Sequence, residues 1–172
     1  MNYFEFYRIP VSFLADAAAL RRIYYENSKK YHPDYHTLSD PAQQAEMLEK
    51  ATLNNEAFQT LSDPDRRMRY ILEIEGLLQE ESRQTLPPEF LLEMMEINES
   101  LMELELDFDP ARFDAALHDV GQIENALERG IRPVLDGYNG ARSDLETVLE
   151  YFLKKRYLLR IRENLSKFAP LQ

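Results

Sequence analysis

The chain has 172 residues, with 20 basic against 31 acidic side chains for a formal charge of −11, five glycines, no cysteine and no tryptophan. The missing cysteine excludes a disulfide framework, a cysteine-ligated zinc or iron–sulfur centre and a thiol nucleophile. The acidity argues against a nucleic-acid partner, which needs Lys and Arg in excess, and the scarce glycine argues against a phosphate cradle of the G-x-x-x-x-G-K-[ST] or G-x-G-x-x-G kind.

The length suits one domain or two small ones. The start, Met1-Asn2-Tyr3-Phe4-Glu5, carries an early acid and no basic segment leading into an apolar one, so no targeting signal is expected. No apolar run approaches the ~20 residues of a membrane helix. A soluble intracellular protein without a membrane partner is therefore the expectation. Apolar residues mostly recur every three to four positions, and few stretches alternate like strands, which predicts an all-α fold.

In chain order, the first predicted helix is short, about 3–8. The second begins after Asp16 and ends near His32, because Pro33 disfavours helical geometry in the residue before it. A loop covers about 32–40, followed by helices over about 41–61 and 64–75, the latter stopped near Gly76. Residues 77–88, ending in Leu86-Pro87-Pro88, read as a linker, and further helices are expected over about 89–106, 110–130 and 144–168. Asp-Pro pairs at Asp40-Pro41, Asp63-Pro64 and Asp109-Pro110 supply helix starts: Asp accepts bonds from first-turn amides and Pro suits the first helical position. Ser143-Asp144-Leu145-Glu146 reads as a capping box with Ser143 at the N-cap. Gly130, Gly137 and Gly140 mark the last loop, and Pro170 closes the last helix.

The second helix is the most informative. Leu20, Tyr24, Tyr31 and either Ile23 or Asn27 form its core stripe. Arg22, Lys29 and Lys30 lie largely off that stripe and make a basic face suited to an acidic protein partner. The helix runs into His32-Pro33-Asp34. Upstream stands Tyr3-Phe4-Glu5-Phe6-Tyr7; downstream stands Asn54-Asn55-Glu56-Ala57-Phe58-Gln59-Thr60-Leu61-Ser62-Asp63-Pro64-Asp65-Arg66-Arg67. Ala51, Ala57, Phe58 and Leu61 read as core between the second and third helices.

His-Pro-Asp alone is a weak signal, as short motifs are. In this ordered setting, over about residues 1–76, it resembles the J-domain of DnaJ-type co-chaperones. The resemblance implies an antiparallel hairpin of the second and third helices with short flanking helices. His32, Pro33 and Asp34 at its tip, with Arg22, Lys29 and Lys30, would dock on a DnaK/HscA-class chaperone and stimulate its ATPase. The residue chemistry fits: Asp34 can accept a charge-assisted bond from a partner Arg, Pro33 pre-organises the loop, and His32 offers two ring nitrogens.

The second part, 89–172, is expected to be a three-helix bundle. Phe90, Met94, Ile97, Leu101 and Leu104 form a 4-3-4-3 seam on the fifth helix. The sixth helix offers Phe113, Leu117, Val120, Ile123 and Leu127 as apolar positions, and the seventh offers Leu145, Val148, Leu149, Phe152 and Leu159. Residues 1–75 hold nine basic and twelve acidic side chains, net −3, and residues 76–172 hold eleven and nineteen, net −8. Eight acids and no Lys or Arg lie between Glu89 and Asp109. Lys154, Lys155, Arg156, Arg160, Arg162 and Lys167 of the seventh helix are placed to offset part of that charge. Leu91, Leu92, Met95 and Met102 stand outside the seam, flanked by Glu96 and Glu99. Such a stripe is either an exposed, adaptable docking surface or is buried against the first domain or a second copy.

A J-domain, a short linker and a three-helix bundle together resemble the HscB-type co-chaperone of iron–sulfur cluster assembly. The resemblance implies a bacterial cytoplasmic adaptor, not an enzyme and without a cofactor, that brings an IscU-type scaffold protein to an HscA-type chaperone. It places the scaffold-binding surface on Leu91, Leu92, Met95, Glu96 and Glu99, with Tyr157 as an aromatic on the last helix. The alternatives are a J-domain co-chaperone for a different client and, from another class, a small metal-dependent hydrolase using His32, Asp34 and His36.

Overall fold

The computed structural model describes residues 1–78 and 85–168. Among these it forms seven α-helices and no strand: α1 Tyr3–Tyr7, α2 Ala17–Lys30, α3 Pro41–Ser62, α4 Pro64–Ile74, α5 Pro88–Leu106, α6 Pro110–Gly137 and α7 Arg142–Ser166. The all-α expectation therefore holds. Two compact units result, Met1–Gly76 and Leu77–Gln172. Of the predicted linker 77–88, residues 79–84 lie outside the described residues, as does Pro170. No helix among the described residues is long and apolar enough to cross a membrane.

Most helix starts follow local chemistry. Asp40 accepts from the amide of Gln43, Asp63 from Asp65 and Arg66, and Asp109 from Ala111, each with Pro at the first position. Asp16 caps α2 through the amides of Ala18 and Ala19. α1 carries a capping box that the sequence reading missed. The Glu5 amide donates to Asn2 Oδ1 (2.9 Å), and the Asn2 amide donates to Glu5 Oε2 (3.0 Å). An N-x-x-E start is a weaker signal than S/T-x-x-E, yet it satisfies the same orphan donors.

In the first unit α2 and α3 pair antiparallel: Tyr24 meets Asn55 and Phe58, and Asn27 meets Asn54. Ala57 and Leu61 are fully buried, whereas Ala51 and Phe58 are only partly so, Phe58 stacking on Tyr24 at 4.4 Å. The centre of the unit is polar. Asn54, 1% exposed, donates through Nδ2 to Tyr24 O (3.1 Å) and Ser28 Oγ (3.2 Å). Its Oδ1 accepts from Tyr7 Oη (2.9 Å) and Asn27 Nδ2 (3.3 Å). One amide thus locks α1, α2 and α3 together. Burial at this point pushes the Tyr7 phenol well above its usual pKa, so it stays a donor.

Asn54→Leu keeps the volume and removes the four side-chain bonds, while Tyr7 Oη retains its bond to the Asn54 main-chain oxygen (3.1 Å). It should cost the first unit about 2 kcal/mol, because the ties from this amide to α2 are lost and the Asn27 amide is left without its partner. Hydrogen exchange across residues 1–76 of the full chain measures this, and unchanged protection would refute it.

Arg67, in the charged stretch after Asp63-Pro64, is only 7% exposed. Its Nε donates to Phe13 O (2.9 Å) and its Nη1 to Leu61 O (2.6 Å), tying the loop before α2 to the end of α3. Burial lowers its pKa and the nearby Asp63 partly opposes that.

The second unit buries the whole predicted seam of α5 against Ala116 and Val120 of α6 and Leu158, Ile161 and Leu165 of α7. Phe113, Leu117, Ile123 and Leu127 of α6 pack on this core half-buried. Three expectations are corrected. α6 does not stop at 130 but continues through Gly130 and Pro133 to Gly137. Ile131 is 5% exposed, so tertiary burial of these last turns outweighs the local breakers. Ser143 is not the N-cap of α7: the helix already starts at Arg142, with Ala141 at the cap and no side-chain bond there. Leu159 is 57% exposed, and its neighbour Leu158 occupies the core, in step with Ile161 and Leu165. Several ion pairs join or brace these helices. Arg162 of α7 pairs with Glu124 of α6, Lys154 with Glu150 in its own helix, and Glu103 of α5 with Arg112 of α6.

Candidate functional site

Two surfaces collect the predicted site residues. The first is the tip of the α2–α3 hairpin. α2 ends at Lys30, and the predicted 32–40 loop contains a single 3-10 turn, Pro33–Tyr35, with His32 as its N-cap. The reason is local. Pro33 supplies helical φ at the first position, and His32 Nδ1 accepts the Asp34 amide at 3.2 Å. Tyr35 N donates to His32 O (3.1 Å) and His36 N to Pro33 O (3.0 Å), closing the turn.

His32 Nδ1 also lies 3.7 Å from the Asp34 carboxylate. The closer contact is the Asp34 amide, so His32 holds its turn with Nδ1 and leaves Nε2 as the ring's other bonding position. The Asp34 side chain is 84% exposed. Arg22, Lys29 and Lys30 are exposed as expected.

Tyr25, 58% exposed, shares their face at i+3 from Arg22 and i−4 from Lys29. Its spacing was the signal that the sequence reading passed over. The hydrolase alternative finds no geometry. His36 Nε2 is bonded to Lys30 O (2.9 Å), His32 Nδ1 to the Asp34 amide, and no three His, Asp or Glu among the described residues converge on a metal position.

The second surface is the outer face of α5. Its buried seam and its exposed stripe follow from one helical period. Leu91 (42% exposed), Leu92 (64%), Met95 (54%) and Met102 (64%) point away from the core. Glu96 and Glu99 are exposed among them. At 100° per residue, Leu91 through Glu96 by way of Met102, Met95, Glu99 and Leu92 cover an arc of roughly 140°. Within the second unit the stripe therefore lies outside the core.

Tyr157 belongs to a different environment. It is half-buried beside the core, edge-on to Phe90 at 5.8 Å, with the Arg160 guanidinium over its ring at 5.7 Å. Its hydroxyl accepts from Asn98 Nδ2 at 2.9 Å. Asn98 borders the exposed stripe on the Leu91 side, so Tyr157 flanks that stripe through Asn98 and lies outside it.

Comparison with known proteins agrees with this layout. Residues 2–70 match the family model described as the DnaJ domain, and residues 86–166 match the HSCB C-terminal oligomerisation domain. The co-chaperone protein HscB homolog of Paraburkholderia phymatum is 32% identical over 145 residues, 83% of each chain. That of Vibrio cholerae is 29% identical over 97% of this chain and 96% of its own. The crystal structure of human co-chaperone protein HscB is similar with a TM-score of 0.70 at 26% identity, covering 99% of this chain and 84% of that one.

Proposed function

The chain belongs to the HscB co-chaperone family, with a DnaJ domain and an HscB C-terminal domain and no enzymatic activity of its own, and from that premise we propose that it couples a DnaK/HscA-class chaperone to an IscU-type iron–sulfur scaffold. The chaperone-facing residues are His32, Pro33 and Asp34 with Arg22, Lys29 and Lys30. The scaffold-facing residues are Leu91, Leu92, Met95, Glu96 and Glu99, with Tyr157 supporting their edge. On this reading residues 1–76 act as the J-domain, 77–88 as the linker and 89–172 as the scaffold-binding bundle. The setting is the bacterial cytoplasm, in keeping with the bacterial sources of the two relatives named above.

The observation that supports it best is that each unit keeps one chemically distinct surface clear of its own core. One is a rigid turn with an exposed carboxylate beside cations. The other is an apolar stripe set in acid. Carrying both on one chain raises the effective concentration of chaperone and scaffold for each other. With no cysteine in 172 residues, the chain offers no thiolate to a cluster, so it presents the scaffold and leaves cluster ligation to it.

Steady-state ATP hydrolysis by an HscA-type chaperone tests the proposal. The chain and scaffold together should stimulate more than the sum of each alone. Strict additivity would overturn the coupling, and equal synergy with an unrelated client would favour a co-chaperone of different specificity.

A further inference from the structure

The hairpin tip has an unusual mechanical basis. From His32 to Asp40 no side chain is buried, and only His36 and Ser39 are even partly covered. Hydrophobic packing therefore cannot hold the turn in one shape. Hydrogen bonds must do so, and two side chains supply them from outside the turn.

His36 lies just past the 3-10 turn. Its Nε2 donates to Lys30 O at 2.9 Å, six residues back. Lys30 is the last residue of α2, so its carbonyl is among those a helix end leaves unpaired. The ring thus fastens the exit of the turn to the end of α2. Both the neutral Nε2–H form and the protonated form of the ring can donate here.

Gln44, in the first turns of α3, fastens the other side. Its Nε2 donates to His36 O (3.2 Å), Thr37 O (3.2 Å) and Ser39 O (3.1 Å). An amide nitrogen has two hydrogens, so three acceptors mean one is shared. Its own main chain is held by Gln44 N donating to Asp40 O at 3.0 Å. The carbonyls it gathers sit on exposed or partly exposed residues, so water can replace it without unfolding the domain. What would be lost is the shape of the loop.

We propose that His36 and Gln44 are positioning residues, a two-point clasp that holds the His32-Pro33-Asp34 turn in its binding geometry between the ends of α2 and α3. The functional consequence rests on the chaperone-stimulating role proposed above. A loop that is competent only part of the time binds with an affinity reduced by that fraction. The clasp therefore sets the half-saturating concentration and leaves the plateau of stimulation alone.

The test uses the full chain and three variants. Gln44→Glu is isosteric but has no donor. Gln44→Lys restores a donor of sufficient reach. His36→Phe keeps a ring and loses the Nε2–H. For Gln44→Glu and His36→Phe, the concentration giving half-maximal ATPase stimulation should rise about five- to tenfold at an unchanged plateau. Gln44→Lys should recover most of the wild-type curve. Amide exchange over residues 32–39 should speed up in the two donor-less variants while exchange elsewhere in residues 1–76 stays as in wild type. Donor-less variants that follow the wild-type curve would overturn the proposal. So would equal impairment of Gln44→Glu and Gln44→Lys with a general loss of protection, the mark of a merely structural role. A wild-type chain that fails to stimulate the chaperone would instead overturn the functional reading, and the exchange measurement would still decide the clasp.

Discussion

His32→Gln is expected to return chaperone ATP hydrolysis to its unstimulated rate while scaffold affinity stays at the wild-type value. The imidazole has two jobs that Gln cannot combine. Its Nδ1 accepts the Asp34 amide at 3.2 Å and so caps the turn, which leaves Nε2 as the second bonding position of a side chain about half exposed. A Gln amide is floppier and does not hold its second polar group at a fixed position relative to the first. The turn then presents Asp34 in many orientations, and a charge-assisted bond to a partner Arg depends on orientation. The residues proposed to bind the scaffold belong to the other compact unit and keep their packing. Steady-state ATPase assays and titration calorimetry on the same preparation measure both halves. Retention of most of the stimulation would remove His32 from the mechanism, and a parallel loss of scaffold binding would contradict two separate surfaces.

The complementary variant, Leu92→Ala with Met95→Ala, should weaken scaffold binding by about a hundredfold and leave scaffold-free ATPase stimulation unchanged. The magnitude follows from area. Both side chains are more than half exposed in the free chain, so docking would remove most of that surface from water. Truncating two such anchors costs about 3 kcal/mol in all, near two decades in Kd. The fold should tolerate the change. Exposed positions of this kind seldom shift stability by more than ~0.5 kcal/mol, in contrast to Met94 and Ile97 on the opposite face, 0% and 5% exposed. Glu96, at the edge of the arc, would act mainly on association rate and its salt dependence, whereas Glu99 lies within the stripe between Met95 and Leu92. An unchanged affinity by calorimetry would sink the assignment of α5 as the docking helix.

The features of this chain that proved legible share one property: their causes lie within a few residues. Each Asp-Pro start contains both the acceptor and the fixed φ that the first turn requires, and all three cap a helix. The seam of α5 repeats at 4-3-4-3, and all five residues are buried. The features that were misread depend on distant partners. Gly130 and Pro133 look like a stop, but burial of Ile131 carries α6 through them. Ser143 looks like a cap, but α7 already includes it. Arg67 stands in a charged stretch with no local sign of burial, and two carbonyls, one 54 residues away at Phe13, draw it inside.

The same division separates the two surfaces. By itself the sequence determined the helical class, the order of the seven helices and the chemistry of both candidate sites, because periodicity, capping and motif are written locally. Only the tertiary structure decided which of Leu158 and Leu159 enters the core, and that Leu91, Leu92 and Met95 remain outside it. It alone showed that Tyr157 reaches their edge through Asn98, and that His36 and Gln44 brace the hairpin tip. The physical reason is that a helix with two apolar stripes has no local means of choosing which to bury. That choice is made by the volume and hydrogen-bonding groups of whatever packs against it.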